Sequence, residues 1–214
     1  MGLEGIFLAM KSIAFLLVAS ALLVAGGCGP ENGGEPASTV GWSPQTFGGH
    51  CSISIPPTWK VVPDSQKGSP DAPSPLVKQG TALVYTLAPC LQAANGLFVA
   101  YDPDSMAAVS IQRVPNDQGY EPLGSGKDTL VKRSTDSVQW DESPEYGETV
   151  ISGIGSIMLR GHGHGGPGIV VDEELYTVVT KKFLYGLAFI FPQTAEDKSR
   201  PIVKGILSTV TIPQ

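Results

Sequence analysis

Two histidines separated by one residue have the spacing in this chain that is best suited to chemistry. His162 and His164 lie in a glycine-rich run. In an extended backbone alternate side chains project to the same side, so both imidazoles would face one ligand. Neutral imidazole binds zinc, copper or nickel, and His50 or Asp172 would add ligands only if the fold brings them near. The glycines equally predict an exposed loop over residues 161–168, so a divalent-metal site and a plain strand connection both stay open.

A third reactive residue, Cys28, follows an apolar stretch near the N-terminus. The stretch runs from Ile13 to Ala25 after Lys11 and is followed by two glycines. It is shorter than the roughly 20 residues that span a bilayer and has the length of a signal-peptide core. The pattern is typical of bacterial lipoprotein leaders, so we predict a signal peptide over residues 1–27 and lipidation of Cys28. An ordinary secretory leader and a membrane anchor are the alternatives.

Lipidation of Cys28 would place the mature chain in the bacterial cell envelope. Gly29 is not the aspartate that usually retains such proteins at the inner membrane, so the outer face of the cytoplasmic membrane and the outer membrane both stay open. The net charge is −6, and residues 1–27 contain one acid and one base, so the mature chain keeps this charge. An acidic chain without a basic stripe argues against nucleic acid as a partner. The lipid would provide the contact with the membrane.

Removal of Cys28 from the count leaves Cys51 and Cys90 as an even pair. An exported chain meets an oxidising compartment, where disulfides persist, and parity favours one bridge. Closure of a loop of roughly 40 residues would stabilise the fold by about 4 kcal/mol on the chain-entropy model. Cys51 alternates with Ile53 and Ile55, so it should point inward. Two separate reduced core cysteines are the alternative.

The acidic residues are better explained by structural roles than by catalysis. Asp102 and Asp104 follow a strand and predict a turn, since the ligand spacing of a calcium-binding loop is incomplete there. Glu173 and Glu174 are adjacent in a predicted strand, so they point to opposite faces and form no catalytic pair. Residues 141–148 predict a solvated acidic connector. The sequence contains no G-x-S-x-G motif and no convincing serine–histidine–aspartate set, so we expect a protein that is not an enzyme.

The residues after Cys28 are rich in glycine, proline and small polar side chains up to position 46. Such composition predicts a flexible tether over residues 28–46, with a root-mean-square span of roughly 25 Å. A single globular domain would then occupy residues 47–214.

The elements of this domain are mostly strands. Two helices are predicted, one around residues 127–138 and one near the C-terminus. In the second, Thr194 can cap, Glu196 and Asp197 suit the first turn, Ile202 to Leu207 carry the apolar face, and Pro201 should start or kink the main turn. Consecutive strands with short turns imply an antiparallel sheet, and two helices to cover it give an α+β fold. The predicted strands are Cys51–Ile55, Ala82–Leu87, Gly96–Tyr101, Ala107–Arg113, Glu148–Arg160, Ile169–Thr180, Phe183–Phe191 and Thr209–Ile212.

Several motifs in this order resemble PsbP-like domains, named for an extrinsic protein of the photosystem II oxygen-evolving complex. The segment Ile55-Pro56-Pro57-Thr58-Trp59 resembles the I-P-x-x-W opening of that family, and the block from Leu175 to Leu207 resembles its closing strands and helix. Lipoproteins of the LpqN type share the fold and the lipid anchor. The resemblance covers about residues 47–212 and implies an α/β/α sandwich with a central antiparallel sheet. It carries over no catalytic residue.

Three functions follow from these features. The first is a membrane-anchored extracytoplasmic lipoprotein whose non-catalytic domain binds a protein partner or assists assembly of an envelope complex. The second is a lipoprotein that binds a small ligand or a divalent metal at the His162/His164 loop. The third is an envelope hydrolase. The first requires no cofactor.

Overall fold

Most apolar runs of the sequence form β-strands in a computed structural model. It describes residues 35–63, 96–121, 123–124, 126–136, 140–166 and 169–214, all within one compact unit, residues 34–214. The helices among these residues are α1 (Lys127–Asp136) and α2 (Glu196–Thr209), the latter preceded by a 3-10 turn, Gln193–Ala195. The described strands are β1 (Ser43–Phe47), β2 (Cys51–Ile55), β3 (Lys60–Val61), β4 (Gly96–Tyr101), β5 (Ala108–Pro115), β6 (Glu145–Ile151), β7 (Ile154–Gly166), β8 (Ile169–Val179) and β9 (Phe183–Pro192).

Seven of the described strands form one antiparallel sheet in the order β3-β4-β5-β9-β8-β7-β6, and β1 pairs with β2 in a separate hairpin. The chain places β9 between β5 and β8, so the last strand joins the first half of the sheet to the second half. The α+β prediction, with an antiparallel sheet and two helices, is confirmed.

Each helix covers one face of the sheet. On the α1 face, Leu130 packs among strand residues such as Ile157 and Leu184. On the α2 face, the β1–β2 hairpin and α2 enclose the largest core cluster. Burial of each large apolar side chain there contributes about 1.5–3 kcal/mol, which makes this face the main source of stability. Its core includes Tyr176, Val178, Leu187, Phe189, Val203 and Ile206.

The alternating burial of β2 follows the sequence pattern. Cys51, Ile53 and Ile55 are all buried, whereas the residues between them are partly exposed. The predicted strand Gly96–Tyr101 and the predicted helix around 127–138 are also present, as β4 and α1. The predicted strand Ala82–Leu87 lies outside the described residues.

A tight turn divides the predicted strand 148–160 into two. Ser152 and Gly153 have φ angles of 56° and 73°, and they join the directly paired Ile151 and Ile154. Two consecutive residues with positive φ form the type I′ turn that suits two-residue hairpins. Glu145, predicted in a solvated connector, therefore belongs to β6 together with Glu148, the first residue of the predicted strand.

The predicted loop over residues 161–168 is wrong for residues 161–166. These residues continue β7 and pair with β8, so that His164 lies opposite Val170. The glycine at position 161 serves close packing, since a Cβ there would lie 2.8 Å from Trp140 Cε3. Cross-strand hydrogen bonds supply the order that the local composition does not predict. Residues 167–168 lie outside the described residues.

The flexible tether predicted over residues 28–46 is wrong for its C-terminal part. The backbone N–H of Ala37 donates to the carbonyl of Pro201 at 2.9 Å, and β1 begins at Ser43. Trp42 packs on α2, with its Cη2 atom 2.7 Å from the point that a Cβ on Gly205 would occupy. Apolar contact and strand pairing therefore dock these residues on the globule despite their loop-like composition.

The predicted C-terminal helix is present as α2, with Glu196 and Asp197 in its first turn, although Ala195 and not Thr194 is its N-cap. Pro201 lies inside the helix, which extends through Thr209. The predicted strand Thr209–Ile212 reduces to a single bridge between Thr211 and Ser52. None of the described helices combines the length and the apolar character that a bilayer crossing requires.

Candidate functional site

A group of charged side chains lies on the α2 face, where β7 and β8 meet the first turns of α2. Two cross-strand pairs supply it, with His162 opposite Asp172 and Arg160 opposite Glu174. Since side chains directly across an antiparallel pair share a face, all four belong on one side of the sheet. Helix α2 adds Glu196 and Arg200, and Tyr176 follows Glu174 on the same face of β8. We call these seven residues the polar cluster.

Glu174 is the most highly connected carboxylate of the polar cluster and is only 3% exposed. It accepts hydrogen bonds from Arg200 Nη1 and from the Tyr176 hydroxyl, both at 2.7 Å. Arg160 Nε lies 3.2 Å from the same carboxylate without hydrogen-bond alignment. Removal of a charge from water costs several kcal/mol, which only multiple well-placed partners offset. The arrangement meets that condition, and it ties α2 to the sheet.

Arg200 bridges two carboxylates. Its Nε donates to Glu196, four residues earlier on the helix, at 2.7 Å, while Nη1 donates to Glu174. The guanidinium also lies over the Phe191 ring, 6.0 Å from its centroid. Burial alone would lower the pKa of Arg200, but the hydrogen bond to Glu196 and the neighbouring negative charges raise it. Arg200 is therefore held as a permanent cation.

The second carboxylate of the polar cluster, Asp172, is 1% exposed and lies against His162. His162 Nδ1 is 2.6 Å from Asp172 Oδ1, and the imidazole itself is half exposed. The separation is that of an ion pair, but the ring N–H is not aligned for a hydrogen bond, and neither carboxylate oxygen accepts one from a described residue. Burial raises the pKa of Asp172 and the charge of Glu196 adds to this, whereas His162 and Arg200 oppose it.

The two carboxylates of the cluster differ in what they can do chemically. Glu174 has donors on both oxygens, so it is not available as a general base. Asp172 contacts His162 at one ring nitrogen, an arrangement that leaves Nε2 as the second functional atom of the imidazole. A carboxylate behind an imidazole can orient it toward a metal or increase its basicity.

The predicted metal ligands occupy different positions in the structure. His162 is on β7 beside Asp172, as the metal hypothesis required. The backbone of His164 lies on β7, and its side chain lies outside the described part of the structure. His50 is exposed in the turn between β1 and β2. The described side chains contain no group of three or more histidine, cysteine, aspartate or glutamate residues that could hold a metal ion.

The predicted lipidation and disulfide sites are only partly within the described residues. Cys28 and Cys90 lie outside them. Cys51 is buried, and its Sγ atom is 3.7 Å from the Tyr185 hydroxyl oxygen. Its predicted inward orientation is observed, and its bridge to Cys90 stays a prediction.

Other acidic residues have the structural roles that their spacing predicts. Asp102 accepts hydrogen bonds from the Ser105 hydroxyl at 2.6 Å and from the backbone N–H groups of Asp104 and Ser105 at 3.3 Å, so it closes a turn. Glu173 lies on the α1 face, opposite to Glu174 on the same strand. Burial and the nearby charge of Asp141 raise the pKa of Glu173 to about 7.

Five residues of the polar cluster were not predicted as site residues from the sequence, namely Arg160, Glu174, Tyr176, Glu196 and Arg200. Glu196 and Arg200 carried a usable signal, because a glutamate four residues before an arginine forms a helical ion pair. Arg160 carried no local signal, since its partner Glu174 depends on the register of β7 against β8.

A surface cleft of about 400 Å³ lies at the other end of the sheet. It is bordered by β1, β3 and β4 and lined by residues that include Phe47, Val62 and Leu97. Residues 64–95, which connect β3 to β4, lie outside the described residues, so we assign the cleft no ligand.

Comparison with known proteins shows likeness in structure without likeness in sequence. No protein-family model and no curated protein sequence matches the chain. The structure is similar to that of cyanobacterial PsbP (CyanoP) from Synechocystis sp. PCC 6803, with a TM-score of 0.50, 11% identity, and coverage of 88% of this chain and 99% of that one.

Two further solved structures are similar. LpqN of Mycobacterium tuberculosis, described as involved in cell envelope biogenesis, has a TM-score of 0.47 and 12% identity, with 81% of this chain and 86% of that chain covered. A protein from Bacteroides thetaiotaomicron has a TM-score of 0.45 and 12% identity. The match covers 77% of this chain but only 45% of the Bacteroides chain. The described residues of this protein thus have a PsbP-like fold.

Proposed function

We propose that this protein is an extracytoplasmic lipoprotein, anchored through Cys28, whose PsbP-like domain binds a protein partner or assists assembly of an envelope complex. The leader pattern before Cys28 supports the anchor. The fold supports a domain of the PsbP-like type, with no activity carried over from its relatives.

The observation that carries a binding role over a catalytic one is the state of Glu174. This buried carboxylate is occupied by Arg200 and Tyr176, with Arg160 close by, so its charge serves to hold α2 on the sheet. Its buried charge is compensated within the fold, and removal of a partner would leave that charge uncompensated. The polar cluster is therefore best explained as the support of a rigid binding module.

The docked N-terminal segment supports a position close to a membrane. Ala37 is bonded to Pro201 on α2, so only residues 29–36 separate the anchor cysteine from the globule. About 8 fully extended residues reach at most about 28 Å. A partner would then be met within a few nanometres of the lipid surface.

The test combines lipid labelling with cross-linking. Wild type and Cys28→Ser are expressed with an alkyne-tagged fatty acid and cross-linked in intact envelopes before recovery. We expect label and a specific partner with wild type, and loss of the label with Cys28→Ser. Recovery of no specific partner, together with turnover of an envelope substrate by the purified protein, would contradict the proposal.

A divalent metal or small ligand at His162 is the second candidate function. The specific observation is the half-exposed imidazole backed by the buried Asp172 carboxylate, an arrangement that orients metal-binding histidines. Zinc and copper titrations of wild type, His162→Ala and His164→Ala separate this function from the first. Equal metal binding by all three proteins would remove it.

A further inference from the structure

The outer edge of β6 has no strand partner among the described residues. Within the described residues β6 pairs with β7 on one side only and ends the seven-stranded sheet. It has seven residues, whereas β3 at the opposite edge has two. A long edge with unpaired N–H and C=O groups is a template on which another extended chain can add.

The hairpin geometry identifies which backbone groups point outward. Ile151 and Ile154 flank a two-residue turn, so they form a hydrogen-bonded pair. Because bonded and non-bonded pairs alternate along an antiparallel ladder, the N–H and C=O groups of Tyr146, Glu148 and Val150 point away from β7. These three residues offer an added strand its hydrogen bonds.

The side chains of the same three residues form a short recognition surface on the α1 face. Val150 is 68% exposed and Tyr146 is 40% exposed, which is unusual for large apolar residues on a strand. Glu148 lies between them and contacts both Lys127 and the Tyr146 hydroxyl. At alternate positions the edge thus presents an aromatic side chain, an acidic side chain paired with Lys127, and an apolar side chain.

The charge of the edge indicates which extended chain it accepts. Glu142 is exposed just before β6, Glu145 is exposed on the opposite face of the strand from Glu148, and the whole chain carries a net charge of −6. Antiparallel pairing of two copies in the register that uses all of β6 would place both copies' Glu148 side chains opposite each other, which is unfavourable. A basic segment meets the same charges favourably.

We propose that the outer edge of β6 binds an extended, basic segment of a protein partner by strand addition. The segment carries lysine or arginine opposite Glu148 and apolar residues opposite Tyr146 and Val150. This inference rests on the proposed partner-binding function and names its surface and the class of its ligand.

The test uses the mature protein, purified from envelopes in detergent, with two synthetic peptides of about eight residues. One carries valine, lysine and valine at alternate positions with threonine between them, so that these three side chains share one face, and the other carries glutamate in place of that lysine. We expect the lysine peptide to bind at least about tenfold more tightly and to slow hydrogen exchange at the amides of Tyr146, Glu148 and Val150. Equal binding of both peptides, or protection elsewhere only, would overturn the proposal.

Paired variants separate strand addition from general charge attraction. Val150→Pro removes one outward N–H without removing a bond to β7, and we expect it to weaken lysine-peptide binding at least about fivefold. Val150→Thr keeps that N–H and should stay within about twofold. Independently, Glu148→Lys should weaken binding more than Asp117→Lys, which changes the net charge equally at an exposed turn. If the two variants of each pair changed lysine-peptide binding equally, the proposal would be overturned. Because the two pairs are independent, this conclusion holds even if one variant folds poorly.

Two further outcomes distinguish this inference from the proposed function. Recovery of the same envelope partner by wild type and Val150→Pro would leave the partner-binding function intact. It would also show that the β6 edge is not the binding surface. Lysine-peptide binding at the edge without any envelope partner would support the edge and contradict the envelope role. If wild type sedimented as a dimer and Val150→Pro as a monomer, the occupant of the β6 edge would be a second copy of the chain. That outcome would overturn the proposal of a basic partner segment.

Discussion

The α2 face and the β6 edge use the same types of side chain in opposite ways. On the α2 face, the Glu174 and Arg200 side chains are 3% and 12% exposed, and they belong to a network with Tyr176. At the β6 edge, the Lys127 and Glu148 side chains are 33% and 40% exposed. A buried pair that loses one partner leaves an uncompensated charge in a low dielectric, whereas water and salt replace the partner of an exposed pair. The difference shows that burial decides whether an ion pair holds the fold together.

Removal of the central carboxylate is the strongest way to break the buried network. Glu174→Ala leaves Arg160 and Arg200 without their shared anion, and we expect the free energy of unfolding to fall by about 3–5 kcal/mol. Urea denaturation followed by circular dichroism measures the change. Glu148→Ala is the matched control at the exposed edge, where the urea midpoint should change little. A similar loss in both variants would contradict the comparison.

The pH dependence of Glu173 sharpens the comparison within a single strand. Its pKa is raised from 4.5 to about 7, because burial disfavours the charged form. The protonated Glu173 carboxyl therefore makes its full contribution to the free energy of unfolding below about pH 4.5. This contribution is lost as the pH rises through about 7. Wild type should lose on the order of 2 kcal/mol more than Glu173→Gln between pH 5 and pH 8, with allowance for partial solvent access. Parallel urea curves for the two proteins across this range would contradict the assignment.

Replacement of the bridging cation tests whether its geometry matters as well as its charge. Arg200→Lys keeps the charge, but an ammonium cannot reproduce the fork that reaches Glu174 and Glu196 together. We expect a loss of about 1 kcal/mol in unfolding free energy, measured by urea denaturation. Arg133→Lys on the exposed side of α1 is the control and should be neutral. Equal stability of wild type and Arg200→Lys would show that charge alone suffices.

Removal of the exposed cation should have the smallest effect. Lys127→Ala deletes the partner of Glu148 and the cation over the Tyr146 ring. Because both groups are solvated and screened, we expect no measurable shift of the melting temperature at physiological salt. Differential scanning fluorimetry at low and high salt checks this. A shift as large as that of Arg200→Lys would show that the edge pair also stabilises the fold.

Local patterns predicted much of the secondary structure, since strand and helix periodicity act over short distances. The alternation of Cys51, Ile53 and Ile55 correctly placed three side chains in the core. Composition failed where pairing partners were distant. Residues 161–166 are rich in glycine yet form part of β7, and residues 43–46 are polar yet pair with β2.

The candidate site was less predictable than the fold. His162 and Asp172 were recognised as chemically suitable residues, but their contact depends on the register of β7 against β8. The Glu196–Arg200 pair could have been found from its helical spacing. The position of that pair over Glu174 could not, because it depends on how α2 packs across the sheet.

By itself, the sequence determined the α+β element pattern, the acidic character of the chain and the opposite orientation of Glu173 and Glu174, because each of these depends on neighbouring residues or on composition. Only the tertiary structure decided that Glu174 would be buried among Arg160, Arg200 and Tyr176 while Glu148 stayed at an open edge. Both residues are glutamates in strands. The different outcome arises because β8 is central and covered by α2, whereas β6 is the last strand of the sheet.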